Sequence, residues 1–225
     1  MGDPSFPEST PPNPPLSGPP SKVAAFADGI VLGIARHWLF LLNVAVAVYL
    51  LLPLAPPVLI QAGYERPAQV IYSLYSFACH QLPERSYFLF GAEPVYSLSA
   101  LEASGLTAGQ GLFERRTFTG NVATGYKTAL CQRDIAIYGT VLLMGLLFGL
   151  VRRRLQPPSV KVYLLFLIPI ALDGLTQLFG LRTSNWWLRT VTGAIFGGAS
   201  VWLAYPYLQE AMNGVIQVEN ARRNR

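Results

Sequence analysis

Long apolar stretches, separated by short polar turns, dominate this chain from residue 38 onwards. A helix needs about 20 apolar residues to cross a hydrocarbon core roughly 30 Å thick. Four stretches approach or exceed that length and are predicted to span a membrane: 38–60, 135–151, 162–181 and 186–208. The pattern therefore predicts an all-α fold, a polytopic helical membrane bundle of about four transmembrane helices.

Apolar residues at helical spacing also precede the first span, and they predict a helix lying on the membrane surface. They are Val23, Phe26, Ile30, Val31 and Ile34. At the far side of the first span, the prolines at positions 53, 56 and 57 predict a kink or an end of the helix.

Two glycine pairs predict how the spans pack. The segments GLLFG (145–149) and GAIFG (193–197) each place two small residues four positions apart. Such pairs let two membrane helices approach closely. We therefore expect the second and fourth spans to pack through these faces.

Basic residues set the expected orientation, because Lys and Arg are kept on the cytoplasmic side. The turn between the second and third spans, RRRLQPPSVK, has four positive charges and no negative ones, and the chain ends in ARRNR. Four spans then leave both termini in the cytoplasm. The long segment 62–133 between the first two spans is predicted to lie outside a plasma membrane, here expected to be bacterial.

The domain organisation follows from the same pattern. Residues 1–22 hold eight prolines and little to bury, and we predict a disordered cytoplasmic tail. Residues 23–210 form the helical membrane domain, and 211–225 form a second cytoplasmic tail. Within the outer segment, 67–80 looks helical but is too short to span, and a short helix is expected near SLSALEAS.

Composition agrees with a membrane protein, since 52% of the residues are hydrophobic and only 13% are charged. The formal net charge of +5 is accounted for by cytoplasmic basic loops, and no basic and aromatic interleaving of the kind that binds nucleic acid is present. The expected partner is the lipid bilayer. A larger membrane complex and an anionic lipid are further partners left open.

The predicted orientation gathers polar residues from separate segments near the outer face. This candidate pocket or anion-binding set comprises Arg85, Arg133, Tyr138, Asp173, Gln177, Arg182, Ser184, Asn185 and Arg189. Asp173 and Arg189 each cost about 2.5–3.5 kcal/mol in hydrocarbon, so both should face the bundle interior and find partners. Either they form a functional pocket, or Asp173 makes a structural ion pair with Arg182 or Arg189.

Three segments carry a family resemblance: CHQLPERSYFLFG, CQRDIAIYG and DGLTQLFGLRTSNWWLRTVTG, in that order. Together they resemble the signatures of a bacterial and archaeal family of predicted membrane proteins, domain of unknown function 2085. The resemblance covers roughly 66–200 and implies a polytopic helical membrane protein without an established activity. Members of that family often have Cys-x-x-Cys where this chain has Cys131-Gln132-Arg133-Asp134.

Two cysteines on the same predicted face leave two alternatives open. Oxidising conditions outside the cell would permit a Cys79–Cys131 disulfide, and a count of two fits one bridge. Alternatively, Cys79, His80, Cys131 and Asp134 could hold zinc or a similar metal, since thiolate, imidazole and carboxylate are suitable ligands.

The sequence does not reveal a reaction, and whether the protein is an enzyme stays open. A disulfide-stapled structural or complex-associated membrane protein is the first hypothesis, and a metal-binding protein is the second. The third is an envelope enzyme or binder that uses Asp173, His80 or Asp134 as a base and arginines to hold an anionic lipid head group.

Overall fold

A computed structural model describes residues 22–151 and 155–223. The Pro-rich tail predicted over 1–22 lies outside the described residues, except for Lys22, which begins the first helix. Residues 152–154 of the basic turn and residues 224–225 of the C-terminal tail also lie outside them.

Helices make up most of the described chain. They are α1 (Lys22–Leu51), α2 (Ala55–Gln61), α3 (Glu65–Tyr75), α4 (Leu98–Ala103), α5 (Leu112–Arg115), α6 (Gln132–Val151), α7 (Val160–Leu178) and α8 (Trp186–Arg223). Three short strands complete the fold: β1 (Ser86–Leu89), β2 (Gly120–Asn121) and β3 (Gly125–Cys131). The predicted helices near 67–80 and SLSALEAS correspond to α3 and α4.

Three helical stretches of the described chain are long and apolar enough to cross a membrane: Ala25–Gln61, Gln132–Val151 and Val160–Leu178. They correspond to the first three predicted spans. The fourth predicted span lies within α8, which is not one of the three. Glycine, threonine and aromatic residues make α8 less apolar than its neighbours. A multi-pass helical membrane protein is therefore supported, with three spans that qualify by length and composition.

The N-terminal part of α1 differs from the expected surface helix, because α1 runs unbroken from Lys22 to Leu51. The buried side chains of its N-terminal half are Leu32, Ala35 and Trp38, so these face the bundle. The apolar stripe that suggested a separate helix is exposed. The prolines do end the helix as predicted, because a 3-10 turn at Leu52–Leu54 separates α1 from α2.

Glycines allow the close packing that their spacing predicts. A Cβ atom added at Gly197 would lie 2.5 Å from the carbonyl oxygen of Ile137, and one at Gly193 would lie 2.8 Å from that of Arg133. Helix α8 therefore lies almost backbone to backbone with α6. On α6, a Cβ added at Gly145 would meet Asn43 of α1 at 2.2 Å.

An aromatic cluster closes the helical bundle at one end. The rings of Trp38, Phe148 and Tyr205 meet edge to face, with centroids 5.5–6.2 Å apart. These three residues join α1, α6 and α8. The opposite end, where the strands lie, is called the sheet end below.

The three-stranded sheet corrects the all-α prediction. Its strand order is β1-β3-β2, and both pairings are antiparallel. Strand β3 ends at Cys131 and α6 begins at the next residue, without a connecting loop. The sheet is covered by α2 and α3, so most of β3 is buried on both faces. Its sequence consequently lacks the alternation that marks a half-exposed strand.

Lys127 of β3 is fully buried, which is rare for lysine. Its Nζ donates hydrogen bonds to the carbonyl oxygens of Gln81, at 2.7 Å, and Arg116, at 2.6 Å. The ammonium also lies 5.9 Å from the centre of the Tyr72 ring. Burial lowers the pKa of Lys127 to about 7. Lys127 therefore ties the loop after Cys79 to the sheet.

We expect the stability of the protein to gain from deprotonation of Lys127 as the pH rises. The ordinary pKa of 10.5 applies to the unfolded chain, so between about pH 7 and 10.5 the unfolded state binds more protons than the folded one. The free energy of unfolding, relative to that of K127M, should therefore rise across this window. Denaturant titrations in detergent at several pH values measure it.

The control is K161M, which removes an exposed lysine from the start of α7. K161M should change the free energy of unfolding by less than about 0.5 kcal/mol, as expected for an exposed side chain. A wild-type advantage over K127M that stays flat from pH 7 to 10 would contradict an abnormal titration of Lys127.

Candidate functional site

Cys79 is positioned by the end of α3. Its backbone N–H donates to the carbonyl of Tyr75 at 2.9 Å, which continues the helical turn. Two residues later the backbone turns away from the axis of α3 at Gln81. The φ of Gln81 is 53°, which is uncommon for a residue with a side chain. The Gln81 side chain donates back to the carbonyl of Tyr72 at 2.8 Å. These contacts fix the loop that presents the buried Cys79 side chain.

Cys131 and Asp134 reach the same point from the junction of β3 and α6. Asp134 lies in the first turn of α6, three residues after Cys131, so both side chains lie on one side of it. The Cys131 Sγ donates to Asp134 Oδ2 at 3.1 Å. Potential ligand atoms of Cys79, Cys131 and Asp134 all lie within 4.8 Å of one another. We call these three residues the thiol cluster.

Cys79 and Cys131 are free thiols in this structure, which therefore gives no support to the predicted disulfide. Cys131 instead makes its hydrogen bond with Asp134. The predicted four-ligand set is only partly assembled. The His80 side chain is exposed. Its ring nitrogens are not among the ligand atoms that lie within 4.8 Å of one another.

Crowding of acidic groups governs the protonation of the two thiols. The neighbouring Cys131 thiol lowers the pKa of Cys79, because its S–H can turn from Asp134 to donate to a Cys79 thiolate. Burial and the nearby Asp134 carboxylate partly oppose this effect. The pKa of Cys131 is raised well above its usual value, because it is the donor and is buried beside both groups. The first thiolate therefore forms on Cys79, and ionising the second requires a nearby positive charge.

Asp173 is clamped by two arginines and is only 1% exposed. Arg182 donates to its Oδ1 at 2.8 Å, and Arg133 pairs with its Oδ2. Gln177 adds a hydrogen bond to Oδ2 at 3.2 Å. The predicted pairing with Arg182 is thus observed. Arg133 takes the second position in place of Arg189, because its long side chain reaches from the first turn of α6 to α7.

Arg189 is buried against neutral acceptors. Its guanidinium donates to the side chain of Gln132 at 3.1 Å and to the carbonyls of Ser184, at 2.6 Å, and Glu84, at 3.3 Å. Gln132 is itself fully buried and donates to the carbonyl of Ser86 at 3.0 Å. Arg189 therefore connects α8, α6 and the segment leading into β1.

Two cavities at the sheet end contain most of the predicted polar residues. The smaller, of about 220 Å³, is lined by the thiol cluster and His80. The larger, of about 990 Å³, lies between the segment around β1 and the start of α8. Both cavities are lined by Arg85, Gln177 and Arg189, so they adjoin.

Ser184, Asn185 and Arg182 line the larger cavity, and Arg133 lines the smaller. Tyr138 is not among the lining residues of either cavity in the described chain. Its ring packs on Tyr49 of α1 with centroids 4.5 Å apart.

Four residues that the sequence did not single out also belong to this region. They are Glu84, Arg115, Lys127 and Gln132. Glu84 and Arg115 form an ion pair of 3.0 Å at the wall of the larger cavity. The sequence alone did not distinguish Glu84 and Arg115, because charged residues in a polar segment are ordinarily exposed to solvent.

Comparison with known proteins places the chain in a family. The family model described as "Predicted membrane protein (DUF2085)" matches residues 114–203, which include Cys131, Asp134 and the arginine clamp on Asp173. An uncharacterized protein of Methanocaldococcus jannaschii is 30% identical over 142 residues, which cover 62% of this chain and 69% of that protein. No solved structure matches the chain significantly. The chain therefore belongs to the family of predicted membrane proteins called domain of unknown function 2085.

Proposed function

We propose that this chain is a four-span protein of the plasma membrane whose function centres on an outer-face metal site. Cys79, Cys131 and Asp134 would hold zinc or a similar divalent ion. The observation that carries the proposal is the convergence of two thiols and a carboxylate within 4.8 Å, at the wall of a cavity of about 220 Å³.

A fourth span in α8 is supported by its packing. From Gly193 to Tyr205, α8 runs beside α6 and reaches from the sheet end to the aromatic cluster. This packing beside a candidate membrane-spanning helix supports a fourth span in α8. Its glycines lower its hydropathy but allow the close approach.

The basic residues support an outer location for the sheet end. In sequence, four positive charges lie between α6 and the start of α7, at the end remote from the sheet. The positive-inside rule favours that end for the cytoplasm. The thiol cluster would then face the outside, with both termini inside.

Ligand chemistry favours a thiophilic divalent ion. Zinc sites with three protein ligands keep a fourth position for water or another group, and two thiolates with a carboxylate suit such a site. The negative charge of these ligands exceeds that of the ion, and Arg85 and Arg133 line the same cavity. His80, which also lines it, is the residue available as a fourth ligand after a side-chain rotation.

Metal analysis of the full chain, purified in detergent with reductant and supplied with zinc, tests the proposal. We expect about one zinc per chain in wild type and in the control E102Q, which removes a carboxylate elsewhere at the sheet end. C79S, C131S and D134N should each lose at least tenfold in zinc affinity, and H80A reports whether His80 or water completes the site.

Two results would overturn the proposal. One is the absence of bound zinc in folded wild-type protein with free thiols. The other is a Cys79–Cys131 disulfide in protein isolated without reductant that persists when zinc is present. A membrane-impermeant maleimide added to intact cells should label wild type after chelation, but should not label C79S/C131S.

A further inference from the structure

The cavity of about 990 Å³ has the composition of a site for an anion. Its polar wall contains four arginines, Arg85, Arg115, Arg182 and Arg189, against two glutamates. Two of these arginines are neutralised within the protein. Arg115 pairs with Glu84 at 3.0 Å, and Arg182 pairs with Asp173 at 2.8 Å.

The other two arginines have no such partner. Among the described residues, no carboxylate lies within ion-pair distance of Arg85 or Arg189. Arg189 is only 7% exposed, and its Nε lacks any hydrogen-bond acceptor in the described chain. A buried cation held only by neutral acceptors is costly, and an anion in the cavity would offset that cost.

The start of α8 adds to the positive potential. Ser184, Asn185 and Trp186 line the cavity, and the N–H of Arg189 closes the first helical bond with the carbonyl of Asn185 at 3.1 Å. The N–H groups before Arg189 therefore have no acceptor within the helix. The N-terminus of this 38-residue helix favours a negatively charged group at this wall.

One side of the cavity, called its rim below, contains Trp186 and Gly180, and two large apolar residues flank Gly180 in the sequence. Trp186, which lines it, is half exposed, and the neighbouring side chains of Phe179 and Leu181 at the end of α7 are 71% and 75% exposed. Tryptophan and large apolar groups at the end of a membrane span mark the level where head groups meet hydrocarbon. A ligand here would have its charge against arginine and its apolar part against the rim.

We propose that this cavity binds the phosphate of an anionic lipid head group, with Arg85 and Arg189 as its main ligands. A guanidinium matches phosphate through paired N–H donors. Since Arg85, Arg189 and Gln177 also line the cavity of the thiol cluster, a bound phosphate would lie beside that cluster. The anion site does not require a metal in the thiol cluster.

A lipid titration of the full chain tests the proposal. Wild type in detergent micelles is titrated with lipid, and tryptophan fluorescence reports binding near Trp186. We expect at least tenfold tighter binding of phosphatidylglycerol than of phosphatidylcholine. R85Q should reduce this preference at least fivefold, while R66Q, which removes an exposed arginine on α3, should leave it unchanged.

Arg189 also connects three segments of the fold, so R189Q could lose binding simply because it fails to fold. R85Q is therefore the main variant, and R189Q is interpreted only if the purified variant is folded. Inorganic phosphate and glycerol phosphate, each added alone, distinguish the source of the anion. Binding of these at the affinity of the lipid would reject the lipid and assign the site to a soluble phosphate. No preference for phosphatidylglycerol, or equal effects of R85Q and R66Q, would overturn the proposal.

The metal and anion sites can be separated by a variant from the zinc experiment. C131S should lose zinc but keep its preference for phosphatidylglycerol, since Cys131 lines only the smaller cavity. Loss of the lipid preference in C131S would instead make the anion site dependent on the thiol cluster and contradict its independence.

Discussion

Replacing Asp173 by asparagine is expected to lower the free energy of unfolding by about 3 kcal/mol, the lower end of the range for breaking a buried ion pair. Asparagine has nearly the same shape but no charge, so Arg133 and Arg182 lose their shared partner. Their side chains are 25% and 41% exposed, and solvent screening of both charges keeps the loss at that lower end.

Denaturant unfolding in detergent measures this loss. The control is E210Q, which removes an exposed carboxylate from α8 and should change stability by less than about 0.5 kcal/mol. In a double-mutant cycle, R182Q should destabilise wild type more than it destabilises D173N. Equal stability of D173N and wild type would mean that the clamp contributes nothing to the fold.

Adding one methyl group at Gly197 is expected to destabilise the bundle by about 2 kcal/mol, within the range for overpacking a close contact. The new Cβ would lie 2.5 Å from the Ile137 carbonyl oxygen, which is backbone and cannot turn away. G197A must therefore push α8 away from α6. This loss outweighs the higher helix propensity of alanine, which is worth up to about 1 kcal/mol.

The adjacent glycine supplies a matched control. A Cβ at Gly198 would lie 3.5 Å from Thr140 and 3.7 Å from Met144, both ordinary contacts with side-chain atoms. G198A should therefore be neutral or slightly stabilising in the same unfolding assay. If the two alanine variants were equally stable, the close approach of α6 and α8 at Gly197 would be wrong.

Three of the four predicted membrane spans are supported by the structure, because length and apolar character alone decide whether a helix fits a bilayer. The close contact of the glycine pair 193 and 197 with α6 could also be predicted from its spacing. The pair on α6 was predicted less well, because a Cβ at Gly149 would make only an ordinary contact with Leu39.

The sequence did not show that one continuous helix, α1, contains both the expected surface segment and the first span. Helix α1 runs without a break from Lys22 to Leu51 because this stretch contains no helix-breaking proline. The position of the apolar face does not determine where the helix ends.

The candidate site was only partly predictable, and the reasons are physical. Cys79 and Cys131 could be paired because the chain offers no other cysteine. Arg133 could not be identified as a partner of Asp173, because their contact depends on the spacing between α6 and α7. Lys127 could not be identified either, because lysine is almost never fully buried and this one lies in a strand buried on both faces.

The contact between α6 and α8 also bears on the order in which the bundle assembles. Helix α6 finds its extended packing partner only after the chain has made α7 and begun α8. Helix α8 also packs against α1 and α7, so it is the shared neighbour of the other three long helices. During synthesis, α1, α6 and α7 therefore lack this common packing surface until α8 has been made.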